Sequence, residues 1–330
     1  MKLITLLTCI TSVAYAILLL IQYIILVRFT KKTFTRLNTK FGKDDTNTYS
    51  DLKIYKQSVP LFNYSTKEHI KKDRVLLLIS GYRDVPYMWN NYCIYLKNKD
   101  IDYYAPRTTG NGRRFFQKSI KWDDWILTYF EAIIFLSKIY NNIEIVGFST
   151  GCNIGTYLMG IDWDKIDEFD KTATFNNLIL ISPNFEVAKK HKFYKDLLKS
   201  KIAYNLLNFI CPIGDKPSYN KKVEIDIVYT DEINKIFYER SVFLESLNEV
   251  WKFSDIMPSK VNIKNIIMYY GDCDSVVGDF YIQRKKLGLI FNKKIKMYKL
   301  KDCGHNLINE HPKSRNTLFN AINNKILEND

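Results

Sequence analysis

The residues of this chain best suited to chemistry form the pentapeptide Gly-Phe-Ser-Thr-Gly at positions 147–151. An apolar, β-branched run typical of a buried strand precedes it, and a helix-compatible segment, 153–161, follows it. A serine on a sharp strand-to-helix turn can act as a nucleophile, and the residues two positions before and after it must be small because strand and helix nearly touch. Gly147 and Gly151 meet this requirement. The pattern predicts Ser149 as a nucleophile, with the N-terminus of the following helix directed at a developing oxyanion.

A serine hydroxyl is a weak nucleophile that needs a histidine base, and the histidine needs an acid to fix its tautomer. The chain has four histidines. His69 lies in a charged linker, His191 in a lysine-rich run, and His311 at a predicted helix start, where a solvated cap is expected. His305 directly follows the last predicted strand, and we therefore predict it as the base.

The acid is expected at the end of the preceding strand, because active-site residues of open α/β sheets gather at the carboxyl ends of strands. The segment 271–277, Gly-Asp-Cys-Asp-Ser-Val-Val, offers two carboxylates at that position. We predict Asp274 as the acid and assign Asp272 to the turn.

The elements that must position these residues alternate between strands and helices. Continuous apolar runs predict strands buried on both faces, as in a parallel sheet, and apolar spacings of three and four predict helices. The predicted strands are 74–81, 101–106, 143–148, 177–182, 263–270 and 295–300, with a hairpin of 51–57 and 60–64, and the predicted helices are 87–97, 122–140, 153–161 and 312–327. Residues from 183 to about 260 are instead helical, basic and amphipathic. This order predicts a doubly wound, mostly parallel α/β sheet with an inserted helical cap.

On these residues, the chain resembles an α/β-hydrolase of the monoacylglycerol-lipase-like, serine-aminopeptidase-type branch over residues 51–330. The stretches that carry the resemblance are Ile79-Ser80-Gly81-Tyr82 for the oxyanion loop, 106–113 for the loop after the next strand, the elbow 147–151, the acid loop 271–277, and Gly304-His305 for the base. The chain order of serine, aspartate and histidine also fits that fold. The branch usually has His-Gly at the oxyanion loop and a histidine before the nucleophile, whereas this chain has Ser80-Gly81 and Phe148.

The resemblance implies the α/β-hydrolase fold and acyl transfer through a covalent acyl-enzyme. Ser149 would attack an acyl carbonyl, His305 would take its proton, and Asp274 would orient His305. The backbone N–H groups of Tyr82 and Thr150 would hold the oxyanion. No metal and no cofactor is implied.

The first 28 residues are predicted to form a membrane anchor. Residues 3–27 carry no charge and are long enough to span a bilayer as a helix. The triplet Ala14-Tyr15-Ala16 mimics a signal-peptidase site, but the apolar run continues far beyond it, which favours a retained anchor. The linker 29–50 is basic, so the positive-inside rule predicts a single-pass protein with the domain 51–330 in the cytoplasm.

The net charge of +14 comes from scattered lysines without a nucleic-acid motif. This favours attraction to an anionic membrane surface over nucleic-acid binding. The six cysteines are widely spaced without a metal-ligand pattern, so mostly buried free thiols in a reducing compartment are expected. Cys152, Cys273 and Cys303 each lie within three residues of a candidate catalytic residue. A role as core residues is favoured over a redox role for them.

The residues leave three functions open. The anchor and the basic cap, about 183–260, favour a membrane-anchored esterase that acts on acylglycerol-like lipid esters. A serine aminopeptidase would need acids in the cap to bind an α-amino group, and Asp226, Asp231 and Glu232 are available. A non-catalytic binding protein on a hydrolase-like fold is disfavoured by the complete set of nucleophile, acid and base.

Overall fold

The computed structural model describes the chain in eleven stretches: residues 58–63, 72–111, 120–186, 195–196, 216–217, 241–242, 244–258, 260–261, 263–277, 280–290 and 295–327. The predicted anchor, the linker 29–50, the predicted strand 51–57 and most of the predicted cap lie outside these residues. Among the helices of the described stretches, none combines the length and the apolarity needed to cross a bilayer.

The main strands and helices alternate, as the sequence predicts. Two short strands, 216–217 and 241–242, pair with each other inside the region 183–260, which the sequence predicts as helical. The strands are β1 (Leu61–Asn63), β2 (Lys72–Ile79), β3 (Tyr103–Ala105), β4 (Tyr140–Phe148), β5 (Asn177–Ile181), β6 (Lys216–Pro217), β7 (Ser241–Val242), β8 (Asn265–Gly271) and β9 (Lys296–Leu300). The α-helices are α1 (Asn90–Lys97), α2 (Trp122–Ser137), α3 (Thr150–Leu158), α4 (Leu244–Asp255), α5 (Phe280–Ile290) and α6 (Pro312–Leu327). The predicted helix 122–140 is too long by three residues, because its last residue, Tyr140, already belongs to β4.

Seven of these strands form one sheet in the order β1-β3-β2-β4-β5-β8-β9. All neighbouring pairs are parallel except β1 and β3. The segment predicted at 60–64 thus contains an edge strand paired antiparallel with β3, Leu61 opposite Ala105, and its predicted hairpin partner lies outside the described residues. The doubly wound, mostly parallel sheet is confirmed.

Helices cover both faces of this sheet. Successive residues of a strand point to opposite faces, and in β2 both sets are fully buried: Val75 and Leu77 join the core under α2 and α3, whereas Leu76 and Leu78 join the core under α1 and α6. A strand enclosed on both sides can bury every side chain only if nearly all of them are apolar. This is why the central strands read as continuous apolar runs.

The carboxyl ends of the central strands lie along one edge of the sheet. In β4, Phe148 is in register with the last residue of β5, Ile181, which in turn is in register with Tyr269 of β8. Gly271, the last residue of β8, is in register with Leu300, the last residue of β9. The loops that follow β4, β8 and β9 therefore emerge side by side, and these loops carry the three predicted catalytic residues.

Candidate active site

Ser149 is the single residue between the end of β4 and the start of α3. Its backbone has φ 52° and ψ −119°, a conformation that costs a residue with a side chain about 1–3 kcal/mol. Two backbone bonds hold it there: the Ser149 N–H donates to the Ile181 carbonyl (2.9 Å), and the Cys152 N–H donates to the Ser149 carbonyl (3.0 Å). The strained turn required of a nucleophile elbow is present at the predicted residue.

The elbow glycines have no room for a side chain. A Cβ atom built on Gly147 would lie 2.6 Å from the carbonyl oxygen of Gly151, within the turn itself. A Cβ atom on Gly151 would overlap the carbonyl oxygens of Ile79 and Ser80 at the end of β2. Because backbone atoms cannot move aside without breaking the sheet, only glycine fits at either position.

The structure brings Ser149, His305 and Asp274 into one hydrogen-bonded chain. Nε2 of His305 lies 3.0 Å from Oγ of Ser149, and Nδ1 lies 2.8 Å from Oδ2 of Asp274. The second carboxylate oxygen of Asp274 accepts the backbone N–H groups of Val276 (2.9 Å) and Val277 (3.2 Å). With its proton on Nδ1, the imidazole presents a bare Nε2 to the serine hydroxyl, which is the arrangement of a general base.

The loops that carry acid and base are packed against each other. A side chain on Gly271 would overlap the carbonyl oxygens of Cys303 and Gly304, and the Cys273 N–H donates to the Cys303 carbonyl (2.9 Å). The backbone of His305 is tied down as well, since the Ser182 hydroxyl donates to its carbonyl (2.6 Å). These contacts hold Asp274 and His305, which are far apart in the sequence, within hydrogen-bond distance of each other.

Asp274 is held as a carboxylate although it is largely buried. Burial alone would raise its pKa, but the positive charge that His305 can carry, the hydrogen bond from His305, and the N–H groups of Val276 and Val277 outweigh burial, so the pKa lies below the ordinary 3.8. The group is therefore ionised throughout the neutral pH range and can stabilise an imidazolium on His305. Asp272, assigned to the turn, is exposed.

The predicted oxyanion loop follows β2 and lies against Ser149. A methyl group on Gly81 would be 3.1 Å from Cβ of Ser149. Tyr129 of α2 anchors the loop by accepting the Ser80 N–H (3.2 Å), and Trp89 donates its indole N–H to the Ser80 hydroxyl (3.1 Å). Since Thr150 begins α3, its N–H has no acceptor within the helix. The structure thus places the predicted loop beside Ser149.

No family model matches this chain, and no curated protein matches it in sequence. Solved structures do match. A structure from the study of LipS and LipT, two metagenome-derived lipolytic enzymes, has a TM-score of 0.61 at 12% identity and covers 83% of this chain and 98% of its own. The monoacylglycerol lipase of Paleococcus ferrophilus has a TM-score of 0.53 at 12% identity, over 75% of this chain and 91% of its own. A soluble variant of the monoglyceride lipase of Saccharomyces cerevisiae has a TM-score of 0.50 at 14% identity. The match covers 81% of this chain and 95% of that protein.

The chain has the α/β-hydrolase fold. The order of Ser149 after β4, Asp274 after β8 and His305 after β9 matches the chain order of serine, acid and histidine that is known for this fold. Two of the three structures named above are monoacylglycerol lipases, the branch that the sequence resembles.

One other histidine, His311, lies within the described residues. His311 is exposed at the start of α6, where Nδ1 accepts the Lys313 N–H (3.3 Å), as the predicted cap would. His69 and His191 lie outside the described residues.

Sequence reasoning missed two buried carboxyl groups beside the candidate site. Glu310 accepts the N–H of Gly304 (2.7 Å) and so fixes the residue before His305. Asp84 lies in the oxyanion loop, three residues after Gly81. The only signal for it was an aspartate two residues after the resemblance stretch 79–82.

The cysteines near the site are free thiols in the described chain. Cys152 is fully buried, and its Sγ lies 3.1 Å from the Gly147 carbonyl and 3.3 Å from the Ile181 carbonyl. Burial raises the pKa of the Cys152 and Cys303 thiols, which disfavours the reactive thiolate. Cys273 is exposed. Cys152 and Cys303 are core residues, as expected.

Proposed function

We propose that this protein is a serine hydrolase that cleaves carboxylic esters. The observation that carries the proposal is the hydrogen-bonded chain from Ser149 through His305 to Asp274, with Ser149 on a strained turn at the N-terminus of α3. The lipolytic enzymes among the similar structures support the same reaction class. A binding protein without catalysis would have no need for that strain or that alignment.

In the proposed reaction, Oγ of Ser149 attacks the acyl carbonyl while Nε2 of His305 takes its proton. The Asp274 carboxylate stabilises the resulting imidazolium. Backbone N–H groups of Tyr82 and Thr150 donate to the oxyanion, and one such donor typically lowers the barrier by about 3 to 4 kcal/mol. The imidazolium then protonates the leaving alcohol. Water, activated by the same histidine, releases the acid from the acyl-enzyme.

For the substrate, we propose acylglycerol-like lipid esters. Two of the similar structures are monoacylglycerol lipases by name. The predicted anchor would hold the domain at a membrane, and a basic amphipathic cap could lie on an anionic leaflet and admit acyl chains. The acidic residues that an aminopeptidase would need, Asp226, Asp231 and Glu232, lie outside the described residues.

Purified full-length protein is expected to hydrolyse monoacyl esters and to leave amino-acid anilides intact. Each additional buried methylene contributes about 0.8 kcal/mol, or ~4-fold in kcat/KM, until the acyl pocket is filled. A chain-length series of p-nitrophenyl esters measures the dependence of kcat/KM on acyl length, and amino-acid p-nitroanilides assayed in parallel measure any aminopeptidase activity. Faster cleavage of the anilides would make the protein an aminopeptidase. Labelling of Ser149 by a fluorophosphonate without turnover of any ester would contradict the ester substrate while leaving the nucleophile intact.

We further propose that residues 1–28 anchor the protein, that 29–50 link the anchor to the domain 51–330, and that this domain is cytoplasmic. The full chain is expected to stay in the membrane pellet after carbonate extraction. An arginine at the centre of such a span disfavours insertion by about 2.5 to 3.5 kcal/mol. Leu19→Arg should therefore release part of the protein, and complete release of the unaltered chain would contradict the anchor.

A further inference from the structure

Asp84 is a buried carboxyl that the proposed reaction does not use. It is 5% exposed and lies in the turn that follows the predicted oxyanion donor. A methyl group built on Gly81 would be 2.5 Å from Oδ2 of Asp84 and 3.1 Å from Cβ of Ser149. The carboxyl and the nucleophile therefore adjoin the same side of one glycine.

Asp84 holds the peptide that carries the oxyanion donor. Its N–H donates to the carbonyl of Gly81 (3.2 Å), and its carboxyl accepts the N–H of Gly81. In a planar trans peptide the N–H points opposite to the C=O, so fixing the Gly81 carbonyl also fixes the direction of the Tyr82 N–H. The far side of the turn is fixed by Asn111, whose side-chain amide donates to the Asp84 carbonyl (2.9 Å). Within the turn, Arg83 has a positive φ of 66°.

The charged and titratable groups that face the Asp84 carboxyl come from three elements. His305, in the loop after β9, and Arg83, in the same turn, interact electrostatically with it, and so does the Tyr129 phenol of α2. Burial raises the pKa of Asp84 to about 7, although His305 and Arg83 both favour its charged form. Two titratable groups that interact within one buried site lose their protons as a coupled pair.

This coupling acts on the base of the proposed reaction. His305 accepts the serine proton only when it is neutral. A carboxylate next to an imidazole favours the imidazolium and raises the pKa of the histidine. His305 already has one carboxylate in Asp274, and an ionised Asp84 adds a second one from the side of the oxyanion loop.

We propose that Asp84 is a positioning residue that holds the Tyr82 N–H toward the oxyanion and whose charge keeps the proton on His305 up to a higher pH. This inference rests on the proposed hydrolase function. In this proposal the oxyanion loop both binds the oxyanion and, through Asp84, sets the pH above which the enzyme is active.

The test is the pH dependence of fluorophosphonate labelling of Ser149 in the full-length protein, between pH 5 and 9. Asp84→Asn keeps a side-chain oxygen that can accept the Gly81 N–H but removes the charge. The acid limb of its labelling rate is expected to lie ~1 pH unit below that of the unaltered protein, since a nearby charge shifts a pKa by about that amount. Asp162→Asn, the same change at an exposed surface residue, should leave the limb in place.

A slower rate for Asp84→Asn without movement of the acid limb would reduce Asp84 to a structural residue and overturn the proposal. Asn111→Ala loosens the turn without changing charge, so it should lower the plateau rate and leave the limb unmoved. If Asp84→Asn does not fold, a pH titration of the unaltered protein that follows the Nδ1 proton resonance of His305 replaces it. Two ionisation steps in that titration would support the coupled pair, and a single step would overturn it. Absence of labelling in the unaltered protein would instead refute the proposed function.

Discussion

Ser149→Ala is expected to abolish ester hydrolysis, with a loss of kcat of about 10⁴- to 10⁶-fold. The hydroxyl that the substitution removes is the atom 3.0 Å from Nε2 of His305, and the methyl group of alanine cannot form an acyl-enzyme. The fold should survive, because the elbow is held by backbone bonds of Ser149 that alanine retains. The measurement combines steady-state ester hydrolysis with fluorophosphonate labelling, and both signals should disappear.

Ser137→Ala is the matched control for that loss. Ser137 is another buried serine, but its hydroxyl donates to the Ile134 carbonyl in α2 and accepts the Asp170 N–H, away from the site. It should lower the midpoint of thermal unfolding and leave kcat within ~2-fold, because a neutral hydrogen bond contributes only about 1 kcal/mol of stability. Ester turnover by Ser149→Ala close to the unaltered rate would show that Ser149 is not the nucleophile.

Asp274→Asn is expected to lower kcat by about 10⁴-fold at neutral pH. The carboxylate accepts the Nδ1 proton of His305 at 2.8 Å, and its other oxygen is already bound by two backbone N–H groups. An asparagine held by those N–H groups would turn its NH₂ toward His305, favour the wrong tautomer, and leave the imidazolium without its counter-charge. Steady-state kinetics measures the loss, with Asp272→Asn as control, since Asp272 is exposed two residues away.

The same aspartate should make the stability of the unaltered protein depend on pH. Because the pKa of Asp274 in the folded protein lies below its ordinary value of 3.8, its ionisation stabilises the folded state above that pH, and the contribution is lost as pH falls through the folded pKa. Thermal unfolding measured from pH 7 down to about pH 2 should therefore show a smaller acid-induced decrease for Asp274→Asn, with the difference appearing below the ordinary pKa of 3.8. Equal slopes for the two proteins would contradict an ionised, hydrogen-bonded Asp274.

Much of the fold was predictable because the sheet is buried on both faces. A strand such as β5, Asn-Leu-Ile-Leu-Ile, is enclosed between two layers of helices, and this leaves a continuous apolar run that is read directly from the sequence. Edge strands leave weaker signals. β1 is three residues long with one side exposed. Its partner β3 was predicted as a strand, but the antiparallel pairing of the two, which places Leu61 opposite Ala105, 44 positions further on, was not.

The sequence by itself determined the alternation of strands and helices, the glycine-flanked serine, and the positions of an acid and a histidine after successive strands. These are local properties: a tight turn demands glycine within two residues, and a buried strand demands a run of apolar ones. Only the tertiary structure decided that Asp274 and not Asp272 reaches His305, and that Asp84 adjoins the nucleophile. Both depend on how loops from β2, β4, β8 and β9 meet at one edge of the sheet, and distances across that edge are set by packing between residues far apart in the chain.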